Sequence, residues 1–100
     1  MAQSKQEIIN DINAYIQKCG EGYRAWYVGI SNDARDRLFK SHNVNENGDL
    51  WIYRQASSAQ VAREIEDYFV NSLGADGGTG GGDVTADKVY AYKKAAHTNP

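Results

Sequence analysis

The stretch Tyr27-Val-Gly-Ile-Ser-Asn-Asp-Ala-Arg-Asp-Arg-Leu-Phe-Lys-Ser-His42 gathers residue types suited to phosphate chemistry. Arg37 is the first candidate, because a guanidinium is a planar fork that donates several bonds to one phosphate. Arg35 and Lys40 add positive charge for contacts to a nucleic-acid backbone. Gly29 carries no side chain and so bares the backbone beside Tyr27. Three cations set among Asp33 and Asp36 also describe an ordinary solvated helix face. Both readings stay open on these residues alone. The remaining reactive types are quieter. Cys19 has no thiol or imidazole near it in sequence and falls on an apolar stripe, where it reads as a small hydrophobe rather than a nucleophile. His42 and His97 lack metal-ligand spacing, and His97 lies in the tail.

The glycine-rich run Gly74-Ala-Asp-Gly-Gly-Thr-Gly-Gly-Gly82 invites a phosphate-loop reading. Phosphate loops run from a strand through the loop to a helix N-terminus aimed at the anion. This run follows a helix and enters a strand, and it lacks both the Walker lysine and the GxGxxG spacing. A flexible or tightly turned connector is the stronger reading, with a substrate-contacting loop as its rival.

Six elements position these groups. Ser4 and Glu7 form a capping box for a helix over Lys5 to Cys19, with Ile8, Ile9, Ile12, Ile16 and Cys19 at helical spacing and Gly20 as its stop. The period then changes to two: Trp26, Val28 and Ile30 alternate with Tyr27, Gly29 and Ser31, a strand with two different faces. Asn32 or Asp33 caps a short helix from Ala34 to about Ser41. A polar turn with Asn47-Gly48 leads into a second strand, Leu50 to Gln55, with Leu50 and Ile52 on one face and Trp51 and Tyr53 on the other. Ser57 or Ser58 caps a third helix carrying Val61, Ala62, Ile65, Phe69 and Leu73, which Gly74 ends. Lys88 to Lys93 is a third strand, alternating Val89 and Ala91 with Tyr90 and Tyr92. The tail from Ala95 is expected to fray. The order α-β-α-β-α-β predicts a small α+β fold, a three-stranded sheet flanked by helices in one domain spanning 1–100.

Length and composition bound what such a domain does. A chain of 100 residues, 41% of them hydrophobic, buries about 65% of its unfolded surface, enough for a core without metal or disulfide staples. The single cysteine excludes an internal disulfide and points to a reducing, cytoplasmic setting. Eleven Lys and Arg against thirteen Asp and Glu, a net charge of −2, argue against a protein that coats nucleic acid but leave room for a local basic cleft. No stretch reads as a signal peptide or a membrane span. The odd entry in the composition is seven Tyr against two Phe and two Trp. Tyr27, Tyr53, Tyr90 and Tyr92 all fall opposite the aliphatic positions of their strands, so the surplus is one face of a sheet.

Residues 26 to 70 resemble the GIY-YIG nuclease superfamily. Tyr27-Val28-Gly29 is similar to its YIG element, Arg37 stands where its helix arginine is expected, and Asn32-Asp33 looks like its strand-to-helix junction. Ile65-Glu66-Asp67-Tyr68-Phe69 resembles the setting of its metal-binding glutamate. Helical geometry favours Glu66 over Glu64, since Glu66 falls roughly 70° from the middle of the apolar stripe and Glu64 points nearly away from it. The chain also departs from the pattern. Gly22-Tyr23 lies too close to Tyr27 to be the GIY strand of a hairpin. His42 comes one residue later than the family's common position, which Ser41 occupies. Glycines replace the asparagine often found after the glutamate helix, and an extra helix stands at the N-terminus.

A circular permutation would reconcile the missing strand: Val89-Tyr90-Ala91-Tyr92 would pair beside Tyr27 and bring Tyr90 or Tyr92 to its face. The resemblance implies a monomeric, Mg²⁺- or Mn²⁺-dependent DNA endonuclease. In it Glu66 holds the metal on the scissile phosphate, Arg37 steadies developing charge, Tyr27 helps deprotonate water, and Tyr90 and His42 assist. That division of labour agrees with general chemistry, since a hard cation takes carboxylate oxygen and a phenol becomes a useful base only where cations lower its pKa. The competing readings are a non-catalytic nucleic-acid- or protein-binding module on the same scaffold, and an interaction protein whose exposed tyrosines meet a partner.

Overall fold

The computed structural model describes residues 3–20, 22–77 and 85–99. Ser4 accepts from the Glu7 amide while Glu7 reaches back to the Ser4 amide, and this capping box opens α1 (Lys5–Cys19). A single 3₁₀ turn (Tyr23–Ala25) leads into β1 (Trp26–Ser31). Asp33 accepts from the Asp36 amide and caps α2 (Ala34–Asp36), which widens at once into a π-helical turn over Arg37–Ser41. After β2 (Trp51–Gln55), Ser58 caps α3 (Ala59–Asp67), which also ends in a π-helical turn, Tyr68–Ser72. The last strand, β3, is Lys88–Lys93. Gly20 and Gly74 stop α1 and α3 in the left-handed region, at φ 80° and 90°, where a residue without Cβ carries no steric penalty. Leu50, expected in β2, lies just before it, with its carbonyl accepting from the Lys93 amide.

Among the described residues the strands form one antiparallel sheet in the order β1-β3-β2. The C-terminal strand is therefore central, and it pairs beside Tyr27 as expected: Tyr92 opposes Tyr27, and Tyr90 opposes Gly29. Strand alternation then sorts the side chains. Trp26, Val28, Ile30, Ile52, Val89 and Ala91 meet Ile8, Ile12 and Ile16 of α1 and Ala62, Ile65 and Phe69 of α3 in the main core. Cys19 lies at its border, partly buried. On the other face Tyr90 and Tyr92 meet Ala34, Leu38 and Val44, with Tyr27, Phe39, Trp51 and Tyr53 around them. This is the α+β architecture the residue order predicts. No helix of the described residues is long and apolar enough to cross a membrane.

Two expectations change at the end of the chain. The tail expected to fray from Ala95 is instead docked through residue 99: the Asn99 amide donates to the His42 carbonyl, Asn43 Nδ2 donates to the His97 carbonyl, and Thr98 is buried. Backbone groups with fixed partners do not fray, and apolar content is no guide to such a contact. Of the glycine run, residues 78–82 fall outside the described set. Its first residues lie along the free edge of β1, where the Val28 amide donates to the Asp76 carbonyl and the Asp76 amide to that of Trp26, each at 2.8 Å.

Candidate functional site

The site is a corner of the tyrosine face. Its floor is the antiparallel register that sets Tyr92 beside Tyr27 and Tyr90 beside Gly29. A Cβ on Gly29 would sit 2.5 Å from the Tyr90 hydroxyl oxygen, so the bare backbone there is the space the phenol fills. The Tyr27 ring stacks on Tyr92, with centroids 5.3 Å apart, and leans on the His42 ring at 4.7 Å.

His42 reaches this floor because the helix before it widens. The His42 amide donates to the Arg37 carbonyl at 2.9 Å, five residues back rather than four. A π-turn places residue i+5, not i+4, one turn along. The imidazole of His42 thereby comes to lie one turn from Arg37.

Its two nitrogens then have fixed roles. Nδ1 is 2.6 Å from the carbonyl oxygen of Asn99, which can only accept, so the ring proton sits on Nδ1. Nε2 is left as an acceptor and takes the Tyr90 hydroxyl proton in a 2.7 Å hydrogen bond. The Tyr92 hydroxyl lies 3.2 Å from Nδ1, which already carries a hydrogen, and so donates toward Asn99 O at 3.4 Å. Burial, reinforced by the Arg37 charge, pushes the His42 pKa down against the upward pull of the Asn99 carbonyl. The neutral ring with this proton placement is the form the site holds.

The surroundings of Tyr90, for which the resemblance implies an assisting role, make it a poor proton acceptor. Arg37 does pull the phenol down, but burial pushes it up and wins, with the charge of Tyr27 on the same side. Burial likewise raises Tyr92. At 2% exposure Tyr90 does not meet water. Tyr90 and His42 are thus a sealed, mutually bonded pair that shapes the floor. Tyr27, half-buried, is the phenol at the rim.

Glu66 comes from α3, where it borders the buried stripe. It is 4% exposed, and burial lifts its pKa to about 7, with Asp67 adding to the rise and Arg63 opposing it. Among the described residues its carboxyl has no hydrogen-bond partner, and the one sealed polar side-chain atom without a partner is Trp26 Nε1. The charge of Glu66 reaches Tyr90, as do those of Arg37 and Tyr27.

The other two cations of α2 and the π-turn are engaged differently. Arg35 pairs with Glu46 at 2.5 Å and lies over the rings of Phe39 and Trp51, and Lys40 pairs with Asp36 at 3.3 Å. Together with Asp33 and Phe39 they line a surface hollow of about 390 Å³ that none of Tyr27, His42, Glu66 or Tyr90 borders. Of the residues singled out by sequence, Tyr27, His42 and Tyr90 are in ring contact, the charges of Arg37 and Glu66 bear on Tyr90 from the π-turn and from α3, and Arg35 and Lys40 stand beside them. The backbone of Asn99 was not foreseen, and no local signal marks a carbonyl that meets a ring 57 positions away.

A metal at this corner would find one carboxylate. Among the described residues no group of three His, Cys, Asp or Glu side chains could hold an ion. Mg²⁺ often binds through one or two carboxylates together with substrate phosphates, and Glu66, whose carboxyl has no hydrogen-bond partner among the described residues, would supply one.

Comparison with family models, with curated proteins and with solved structures returns no match to this chain.

Proposed function

We propose that the corner bearing Tyr27, Arg37 and Glu66 binds the phosphodiester of a DNA strand and hydrolyses it with a divalent cation, as the GIY-YIG resemblance implies. The observation that supports this reading is the ring cluster of Tyr27, His42 and Tyr90 on the β1-β3 register, on which the charges of Arg37 from the π-turn and Glu66 from α3 act at Tyr90. Tyr27, Arg37 and Glu66 come from separate elements, and a solvated helix face has no reason to assemble them.

Each group then has a task fitted to its place. Arg37, exposed at the head of the π-turn, grips the phosphate and stabilises charge as it develops. Tyr27, at the rim, orients the attacking water with its hydroxyl. His42 and Tyr90 keep the floor dry and hold Tyr27 in place through ring contact. Glu66, once deprotonated, holds Mg²⁺ or Mn²⁺, which when bound supplies Lewis-acid polarisation of the phosphate. In this reading the protein works as a cytoplasmic monomer. A second reading, a phosphate-binding module without hydrolysis or one for a protein partner, is favoured by the burial that keeps Tyr90 a neutral phenol.

A plasmid-nicking assay separates the two. Wild type should nick only with Mg²⁺ or Mn²⁺, and Glu66→Ala and Arg37→Ala should each lose about a hundredfold in rate. If no metal-dependent cleavage occurs on any DNA or RNA form, the enzyme reading fails. DNA binding that falls steeply with salt and is lost in Arg37→Ala would then identify the binding module.

A further inference from the structure

We infer that the C-terminal segment, residues 95–99, is a clasp whose Asn99 backbone positions the site by fixing the tautomer of His42. The inference rests on the proposed phosphodiester reading for its effect on rate, while its structural core stands on geometry alone.

The clasp has two attachments to one residue. Asn99 receives the Nδ1 proton of His42 at 2.6 Å and donates its own amide to the His42 carbonyl at 2.8 Å. Both use only the backbone of Asn99. The chain also turns to meet it. Asn43 adopts φ 57°, a left-handed conformation that Asn tolerates better than most residues, and its side chain donates to the His97 carbonyl at 2.9 Å. From the far side Asp49 holds the His97 ring at 2.5 Å. Within the tail Thr98 closes a turn, its Oγ1 accepting from the Ala95 amide and donating to the Ala95 carbonyl.

The consequence follows from the two-nitrogen chemistry of neutral imidazole. A carbonyl at Nδ1 commits the proton there and leaves Nε2 to accept from Tyr90. Without the clasp the proton is free to move to Nε2, and the Tyr90 hydroxyl then faces a donor instead of an acceptor. Tyr90 fills the space over Gly29, and Tyr27 leans on the His42 ring, so a change of tautomer disturbs the wall on which Tyr27 rests. Asn99 is a positioning residue acting through His42, and it touches no reacting atom.

Ring ¹⁵N spectra of the full chain test this directly. The chain has two histidines, and His97→Ala assigns the signals. His42 should show a protonated Nδ1 and a bare Nε2. Truncation after Ala96 should replace these with tautomer-averaged shifts and lower kcat for nicking at least tenfold, with KM little changed because Arg37 is untouched. Asn99→Ala keeps both backbone contacts and should match wild type in both readouts. A wild-type His42 protonated on Nε2, a truncated chain that keeps the Nδ1–H signature, or an Asn99→Ala variant that behaves like the truncation would each overturn the clasp. If the full chain does not nick DNA, the phosphodiester reading fails while the spectra still decide the clasp.

Discussion

The two faces of the sheet share a backbone and differ in how each is held. The face toward α1 and α3 is aliphatic, closed by Ile8, Ile12, Ile16, Ile65 and Phe69 against Trp26, Val28 and Val89. Burial of methyl and methylene groups is non-directional, so each residue there contributes roughly in proportion to the apolar area it removes from water. The face toward α2 is built from phenols and an imidazole, and its order runs through a directional series: Gly29 makes room for Tyr90, Tyr90 donates to His42, and His42 donates to Asn99. Such a series is satisfied as a whole or not at all. One face therefore supplies stability, and the other supplies geometry.

That division is broken most severely by removing aliphatic mass. Ile65→Ala, at a fully buried position, should lower stability by about 2–5 kcal/mol in urea denaturation. The His42 tautomer should survive in the fraction that remains folded. Loss of the tautomer signature in folded molecules would show that the two faces are not separable.

Next in size is Gly29→Ala. The new Cβ would meet the Tyr90 hydroxyl oxygen at 2.5 Å and its Cζ at 2.6 Å. A flexible exposed side chain would swing away, but Tyr90 is buried and tied to His42, so the clash forces strain. A cost of about 1–3 kcal/mol is expected, together with loss of the Nε2 hydrogen bond. A variant as stable as wild type, with the His42 ¹⁵N pattern intact, would refute the packing role given to Gly29.

Glu66 tests the border between the faces. Its folded-state pKa, about 7, lies above its ordinary value of 4.5. Between those values the native protein keeps a proton that the unfolded chain has given up. The contribution of Glu66 to stability is thus greatest below about pH 4.5, declines as pH rises toward 7, and is flat above. Glu66→Gln cannot ionise, so it should remove this slope and exceed wild type by about 1–3 kcal/mol at pH 8. In the proposed hydrolytic reading the same ionisation sets metal-dependent cleavage, which should rise through pH 7 as the carboxylate forms, while the Gln variant stays inactive. A pH-independent difference between the two proteins would place the carboxyl in water rather than in the protein.

The two faces were not equally legible in the sequence. Period-two alternation in Trp26–Ser31 and Lys88–Lys93 sorted aliphatics from tyrosines correctly, because strand geometry fixes which side each residue takes. Capping by Ser4 with Glu7, and by Ser58, was equally local. Helical angle and resemblance single out Glu66 in the sequence, but its buried state depends on how α3 sits on the sheet. The π-turn over Arg37–Ser41 was not visible, since one extra residue per turn leaves no compositional mark. Neither was the docking of Asn99 on His42, where partners far apart in sequence meet through a backbone carbonyl that every residue type possesses.

The smallest effects are expected just outside the corner, where the comparison becomes one between neighbouring cations on the same short helix. Arg35 and Lys40 each face a carboxylate, Glu46 and Asp36, at solvent-exposed positions, and pairs of that kind contribute about 0–1 kcal/mol. Arg35→Ala and Lys40→Ala should therefore leave stability within about 1 kcal/mol of wild type. Their positive charge is already offset locally, so each should weaken DNA binding only slightly and reduce its salt slope by less than one. Arg37 lies beside His42 and acts on Tyr90, and its replacement by Ala should cost far more affinity than either neighbour. Equal losses in the three variants, measured by anisotropy across a salt series, would mean that α2 binds as a uniform cationic surface. Arg37 would then have no privileged place, and the corner no claim on the phosphate.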